Sequence, residues 1–154
     1  MNLPEHVAET LDIGPGTRVF EVDCGSGEFL YPLHLNGYIV GGIDADPDAI
    51  QTAIVTMPGG VFQVGAASAL DPAVPWDVVV CRSFAGHSDP DHNRGLLARM
   101  FAKATHAIAL LDVPDDRRQW MLHALAEIGA NAIQMENATR VSNTPDRFHV
   151  FARV

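Results

Sequence analysis

The segment EVDCGSG, Glu21 to Gly27, sets two glycines where an apolar run gives way to a helix-like stretch. Glycines at such a junction let a ligand approach the backbone closely at a helix N-terminus. The next apolar run ends on Asp44, whose carboxylate can accept hydrogen bonds from both hydroxyls of a ribose. Gly25, Gly27 and Asp44 together describe a cradle for an adenosine-containing ligand. A dinucleotide fingerprint would need a third glycine at position 30, which is Leu30. Asp23 stands where the first glycine of the commonest cradle would be. A carboxylate about 4 Å from a phosphate costs roughly 1–4 kcal/mol per charge pair, and beside a cation it gains a similar amount. Glu21 and Asp44 add to that bias, so the turn disfavours a pyrophosphate and suits a positively charged ligand.

A second polar stretch, CRSFAGHSDPDHN, follows the apolar run that ends near Cys81. His87 is its first candidate for a general base, because histidine titrates near neutral pH. Asp89 could orient it, and His92 is the reserve. The same residues also read as a loop that caps a helix, with Asp89 or Asp91 as N-cap and the histidines solvated. HSDPDH has ligand types a metal accepts, but its proline and the lack of further ligands nearby argue against one. DADPDA fails as a calcium loop, with Ala49 at its sixth position and Val55 at its twelfth. No metal is expected. Cys24 and Cys81 are not spaced as a metal or disulfide framework, and reduced thiols are expected. His34, His106, His123 and His149 lie in periodic segments and read as structural or surface residues. Phe84 and Tyr31 serve either packing or stacking on a substrate.

These groups must be positioned by alternating strands and helices, which predicts an α/β domain with a mostly parallel sheet. A short helix is expected over Pro4–Leu11, with strands at Arg18–Asp23, Tyr38–Asp44, Val61–Gly65, Trp76–Cys81 and His106–Val113. Helices are expected at Gly27–Leu35, after Asp46 as N-cap with Pro47 in its first turn, at Arg94–Ala104 and at Arg117–Ile128. The alternation then breaks into AIQMENATRV and RFHVFARV, joined by the turn SNTPD. Strands joined so closely must be antiparallel. The expectation is one domain over residues 1–154. Hydrophobic residues at 47% and charged residues at 19% are ordinary for a soluble globular protein. No run is long and apolar enough for a membrane span, and MNLPEHVAET lacks a signal-peptide layout, so a cytoplasmic location is expected. A net charge of −9 with Lys103 the only lysine disfavours nucleic-acid partners.

On EVDCGSG and GGIDADPDAI, the chain resembles the class I S-adenosylmethionine-dependent methyltransferases, whose first motif is typically (D/E)-x-G-x-G-x-G. The resemblance covers nearly the whole chain. It implies a Rossmann-like, seven-stranded sheet of order 3-2-1-4-5-7-6, with strand 7 antiparallel and helices on both faces. It also implies S-adenosylmethionine as cofactor, held by Glu21, Asp23, Cys24, Gly25, Gly27, Asp44, Ala45, Ala66, Ala67 and Arg82. Two positions depart from the pattern. Asp23 replaces a glycine, and either its carboxylate or only its backbone carbonyl meets the ligand. Ala66 in VGAASAL stands where an acid often meets the adenine amino group, leaving backbone groups of Ala67 and Ser68 to line it. The implied activity is methyl transfer to a small molecule, with an oxygen or nitrogen nucleophile favoured. The alternative is a methyltransferase-like binding or regulatory module without catalysis. No lid segment is evident, so a second subunit or a partner protein is expected over the cleft, unless it stays open to a bulky substrate.

Overall fold

The computed structural model describes residues 2–84, 89–140 and 145–154. Its elements, in chain order, are α1 (Leu3–Leu11), β1 (Arg18–Val22), α2 (Tyr31–Leu35), β2 (Ile39–Asp44), α3 (Pro47–Thr56) and β3 (Val61–Val64). They continue as β4 (Trp76–Arg82), α4 (Pro90–Lys103), β5 (Ala104–Pro114), α5 (Arg118–Glu127), β6 (Asn131–Asn137) and β7 (Arg147–Arg153). The strands form one sheet in the order β3-β2-β1-β4-β5-β7-β6. Strand β7 is antiparallel to both β5 and β6, and the pairs from β3 to β5 are parallel. Architecture and strand order are those implied by the sequence.

Residue alternation along the strands divides the core between two faces. Phe20, Val22, Val79 and Ile108 face a cluster with Leu97 and Met100 of α4 and Met121 and Leu125 of α5. Val19, Val78 and Val80 face the opposite cluster, with Val7 and Leu11 of α1, Leu33 of α2 and Ile50 and Ala53 of α3. Central strands buried on both faces need apolar residues at every position, which is why VVV of β4 shows no alternation.

Three boundaries differ from expectation by more than two residues. The helix after the glycine turn begins at Tyr31 rather than Gly27, with residues 28–30 in turns. Pro32 has no N–H to return to Glu28, so regular helix bonding cannot extend back through it. Helix α4 begins at Pro90 rather than Arg94, because Asp89 caps it and Pro90 suits its first turn. Strand β6 ends at Asn137 and a 3-10 turn follows over Ala138–Arg140.

Candidate functional site

At the C-terminal ends of β1 and β2 the chain builds the turn around one carboxylate. Asp44 Oδ2 accepts the Gly25 N–H at 2.8 Å, and its Oδ1 accepts the Asp46 N–H at 2.9 Å. Cys24 N–H donates to the Ile43 carbonyl at 3.1 Å, and Gly27 N–H to the Cys24 carbonyl at 3.0 Å. The end of β2 therefore holds the turn in place. The contact requires Gly42, since a Cβ there would lie 2.7 Å from Cys24 Sγ and 3.0 Å from the Glu21 carbonyl oxygen. Gly27 takes φ +91°, and a Cβ on it would press on Met57. Asp23 adopts φ 56°, a left-handed conformation that glycine takes freely and aspartate tolerates better than most residues. The backbone geometry that a glycine would supply at this position is thus retained, and a carboxylate is added.

Glu21, on β1 two residues before Asp23, is fully buried. Arg82 Nε donates to Glu21 Oε2 at 2.8 Å, while Oε1 has no hydrogen-bond partner among the described residues. Burial pushes the Glu21 carboxyl up to about 8, against the pull of Arg82, with Glu28 and Asp23 adding to the rise. The guanidinium of Arg82 also lies 5.8 Å from the centre of the Phe29 ring. The Asp23 carboxyl is raised by partial enclosure and by Asp44, and lowered by His92. Burial and the surrounding carboxylates push the Cys24 thiol up to about 12. Cys81 is raised by burial as well, so both thiols are protonated and unreactive at neutral pH.

The structure gathers Glu21, Asp23, Cys24, Gly25, Gly27, Asp44 and Arg82 around the ends of β1, β2 and β4. Ala45 follows Asp44 directly and is exposed. Ala66 and Ala67 enter the neighbourhood because Gly65 N–H donates to the Asp44 carbonyl at 2.9 Å. Ala66 is exposed and Ala67 packs partly on the α4 side of the core. His87 lies outside the described residues. Asp89 Oδ1 accepts the N–H groups of Asp91 and His92 at 2.9 and 3.0 Å, the helix-capping role its sequence position allowed. His92 is exposed in the first turn of α4, and its charge is felt at Asp23. Among the described residues no group of three or more His, Cys, Asp or Glu is arranged to hold a metal.

The Glu21–Arg82 pair was not legible as a pair. Its members are far apart in sequence, and meet because β1 and β4 are neighbours, with Glu21 beside Val80. A second polar cluster was also missed. His149 is fully buried and its Nδ1 accepts the Asp112 N–H at 3.1 Å, while His6 contacts Glu136, the register partner of His149. Burial holds the His149 imidazole below the usual range, so it is neutral in the fold.

No protein-family model matches the chain. A stretch of 62 residues, 40% of the chain, is 36% identical to sll0829 of Synechocystis sp., an uncharacterized methyltransferase, of whose length the chain covers 29%. Among solved structures, an amino pentose methyltransferase from Micromonospora echinaspora with bound SAM gives a TM-score of 0.79 at 16% identity, over 97% of this chain and 89% of that one. A SAM-dependent methyltransferase from Archaeoglobus fulgidus gives 0.75 at 15% identity, over 99% and 93%. Magnesium protoporphyrin IX methyltransferase from Synechocystis, with bound SAM, gives 0.74 at 17% identity, over 97% and 76%. The chain has the fold these structures share.

Proposed function

We propose that a chain with this fold and this turn is an S-adenosylmethionine-dependent methyltransferase whose acceptor is a small molecule presenting an oxygen or nitrogen nucleophile. One observation carries the cofactor assignment: the buried Glu21, with one oxygen on Arg82 and the other unpartnered beside the glycine turn. A buried carboxylate oxygen without a partner is costly unless a ligand completes it. The amino-acid end of the cofactor matches this pair, with its ammonium for Glu21 Oε1 and its carboxylate for the guanidinium of Arg82. Asp44 can still accept the ribose hydroxyls, because a carboxylate offers about four lone-pair sites and two are taken by Gly25 and Asp46.

When bound, the cofactor supplies a methyl group that passes to the acceptor's lone pair, while the S–CH3 bonding pair stays on sulfur and leaves a neutral thioether. The chain's part is to position the acceptor and to take up its proton. We assign proton removal to the loop after β4, with His87 as base, Asp89 as orienting group and His92 as reserve. A small acceptor is supported by the scarcity of lysine and the charge of −9, and by two structural neighbours that act on an amino pentose and a magnesium porphyrin. A second copy or a partner protein over the cleft belongs to the same proposal.

A second reading, a cofactor-binding module without turnover, is favoured by one observation: the Asp89 side chain is engaged in capping α4. Calorimetry with S-adenosylmethionine and S-adenosylhomocysteine, followed by transfer assays on a panel of hydroxyl and amine acceptors, decides between them. Micromolar binding with turnover is expected. Binding without turnover selects the module, and no binding of either ligand rejects both readings.

A further inference from the structure

Four carboxylates meet at the turn, Glu21, Asp23, Glu28 and Asp44. Among the described residues only Asp23 is left without a hydrogen-bond partner, since Glu28 accepts from Ser26 Oγ at 3.2 Å. Glu21 is buried against Arg82. Asp44 spends its two oxygens on the Gly25 and Asp46 N–H groups. Asp23 is exposed and makes no hydrogen bond or ion pair among the described residues. It also sits in a left-handed backbone conformation that glycine would fill without a charge, and it is repelled by Asp44. Its neighbouring cations are few. Arg82 is engaged by Glu21 and Phe29, and His92 carries a full charge only when protonated. The unpartnered Oε1 of the buried Glu21 independently points to a ligand that completes this turn.

Resting on the S-adenosylmethionine reading, we propose that Asp23 makes the site selective for the sulfonium reactant over its neutral thioether product. The ammonium, carboxylate, ribose and adenine are common to both molecules, so Glu21, Arg82 and Asp44 bind the two alike. The two differ only at the sulfur, by one charge and one methyl group, and Asp23 is the carboxylate of the turn with no other duty among the described residues. Transfer then removes this one attraction and leaves the contacts the two molecules share.

The test is calorimetric and needs no acceptor. Dissociation constants for S-adenosylmethionine and S-adenosylhomocysteine are measured on the wild type and on Asp23→Asn, which keeps the size and tolerates the same backbone conformation. The variant is expected to lose about five- to tenfold in affinity for the sulfonium, the order one charge contributes at ~4 Å in a water-exposed cleft, and less than about twofold for the thioether. An analogue with an amine in place of the sulfonium should follow the sulfonium. Salt supplies a second readout, should the variant unfold: the wild-type preference should shrink between about 0.02 and 0.5 M as screening tightens. Equal losses for both ligands, or a preference indifferent to salt, overturn the inference and leave the cofactor reading standing. A wild type that binds neither ligand overturns both.

Discussion

Glu21 is a fully buried carboxyl with half of its hydrogen-bonding capacity unused, and its titration makes the site's energetics measurable. Its ordinary value of 4.5 rises to about 8 in the fold, chiefly through burial. Between those values the folded state keeps a proton that the unfolded state has lost, so the Glu21 contribution to stability falls as pH rises from 4.5 to about 8, while the depressed His149 contributes with the opposite sign below 6.5. The slope can reach about 1.4 kcal/mol per pH unit, and Glu21→Gln should flatten it; denaturant unfolding across that pH range is the check. Cofactor binding near pH 7 should in turn release a proton, seen as a binding enthalpy that changes with the ionisation enthalpy of the buffer. Asp44 acts through geometry. Asp44→Ala removes the acceptor for Gly25 and Asp46 together, and a stability loss of about 1–3 kcal/mol is expected in urea unfolding, with weakened cofactor binding.

At the scale of elements, short polar residues decide where helices begin. Asp46 and Asp89 each precede a proline and each accept a backbone N–H two residues on. Asp89→Ala should cost about 1 kcal/mol through loss of the α4 cap, and Asp89→Asn should restore most of it. Thermal unfolding of both variants tests that. If Asp89 has a further role in proton transfer, Asp89→Asn will also lower turnover while leaving the melting temperature near wild type. Lys103, at the end of α4, is buried and donates to the carbonyls of Asp71 and Val74 at 2.8 Å each while lying 4.7 Å from the centre of the Phe20 ring. The single lysine thus fastens the segment between β3 and β4 to the core. Lys103→Met removes the donor to both carbonyls and should destabilise by about 1–3 kcal/mol, read from denaturant midpoints.

For the whole molecule, one sheet separates two apolar clusters and contributes residues to both, so neither face can lose its packing alone. Unfolding is therefore expected as one transition, coincident by circular dichroism and by fluorescence of Trp76 and Trp120, both on the α4–α5 side. Separate transitions would contradict a single-domain reading. The cover proposed for the cleft is tested by size exclusion with light scattering, with and without cofactor. A strict monomer in both states removes the second copy and leaves a partner protein or an open cleft. No helix among the described residues is long and apolar enough to cross a membrane.

Local chemistry made much of this readable in advance. Period-two and continuous apolar runs, the Asp46–Pro47 helix start and the close spacing of the last two strands depend on residues near one another, and they determined the element order. The resemblance carried by EVDCGSG and Asp44 supplied the strand order and the composition of the turn. What the chain order could not convey was which distant groups would share an environment. Glu21 and Arg82 pair because β4 lies beside β1, and His6 reaches Glu136 because α1 packs over β7 and β6. Burial belongs to the same class: the ionisation of Glu21 and the neutrality of His149 follow from what surrounds them, and a linear pattern carries no dielectric. Asp23 stands between the two. Its charge was plain in the sequence, but that it takes glycine's left-handed backbone and has no hydrogen-bond partner among the described residues was decided only by the tertiary structure.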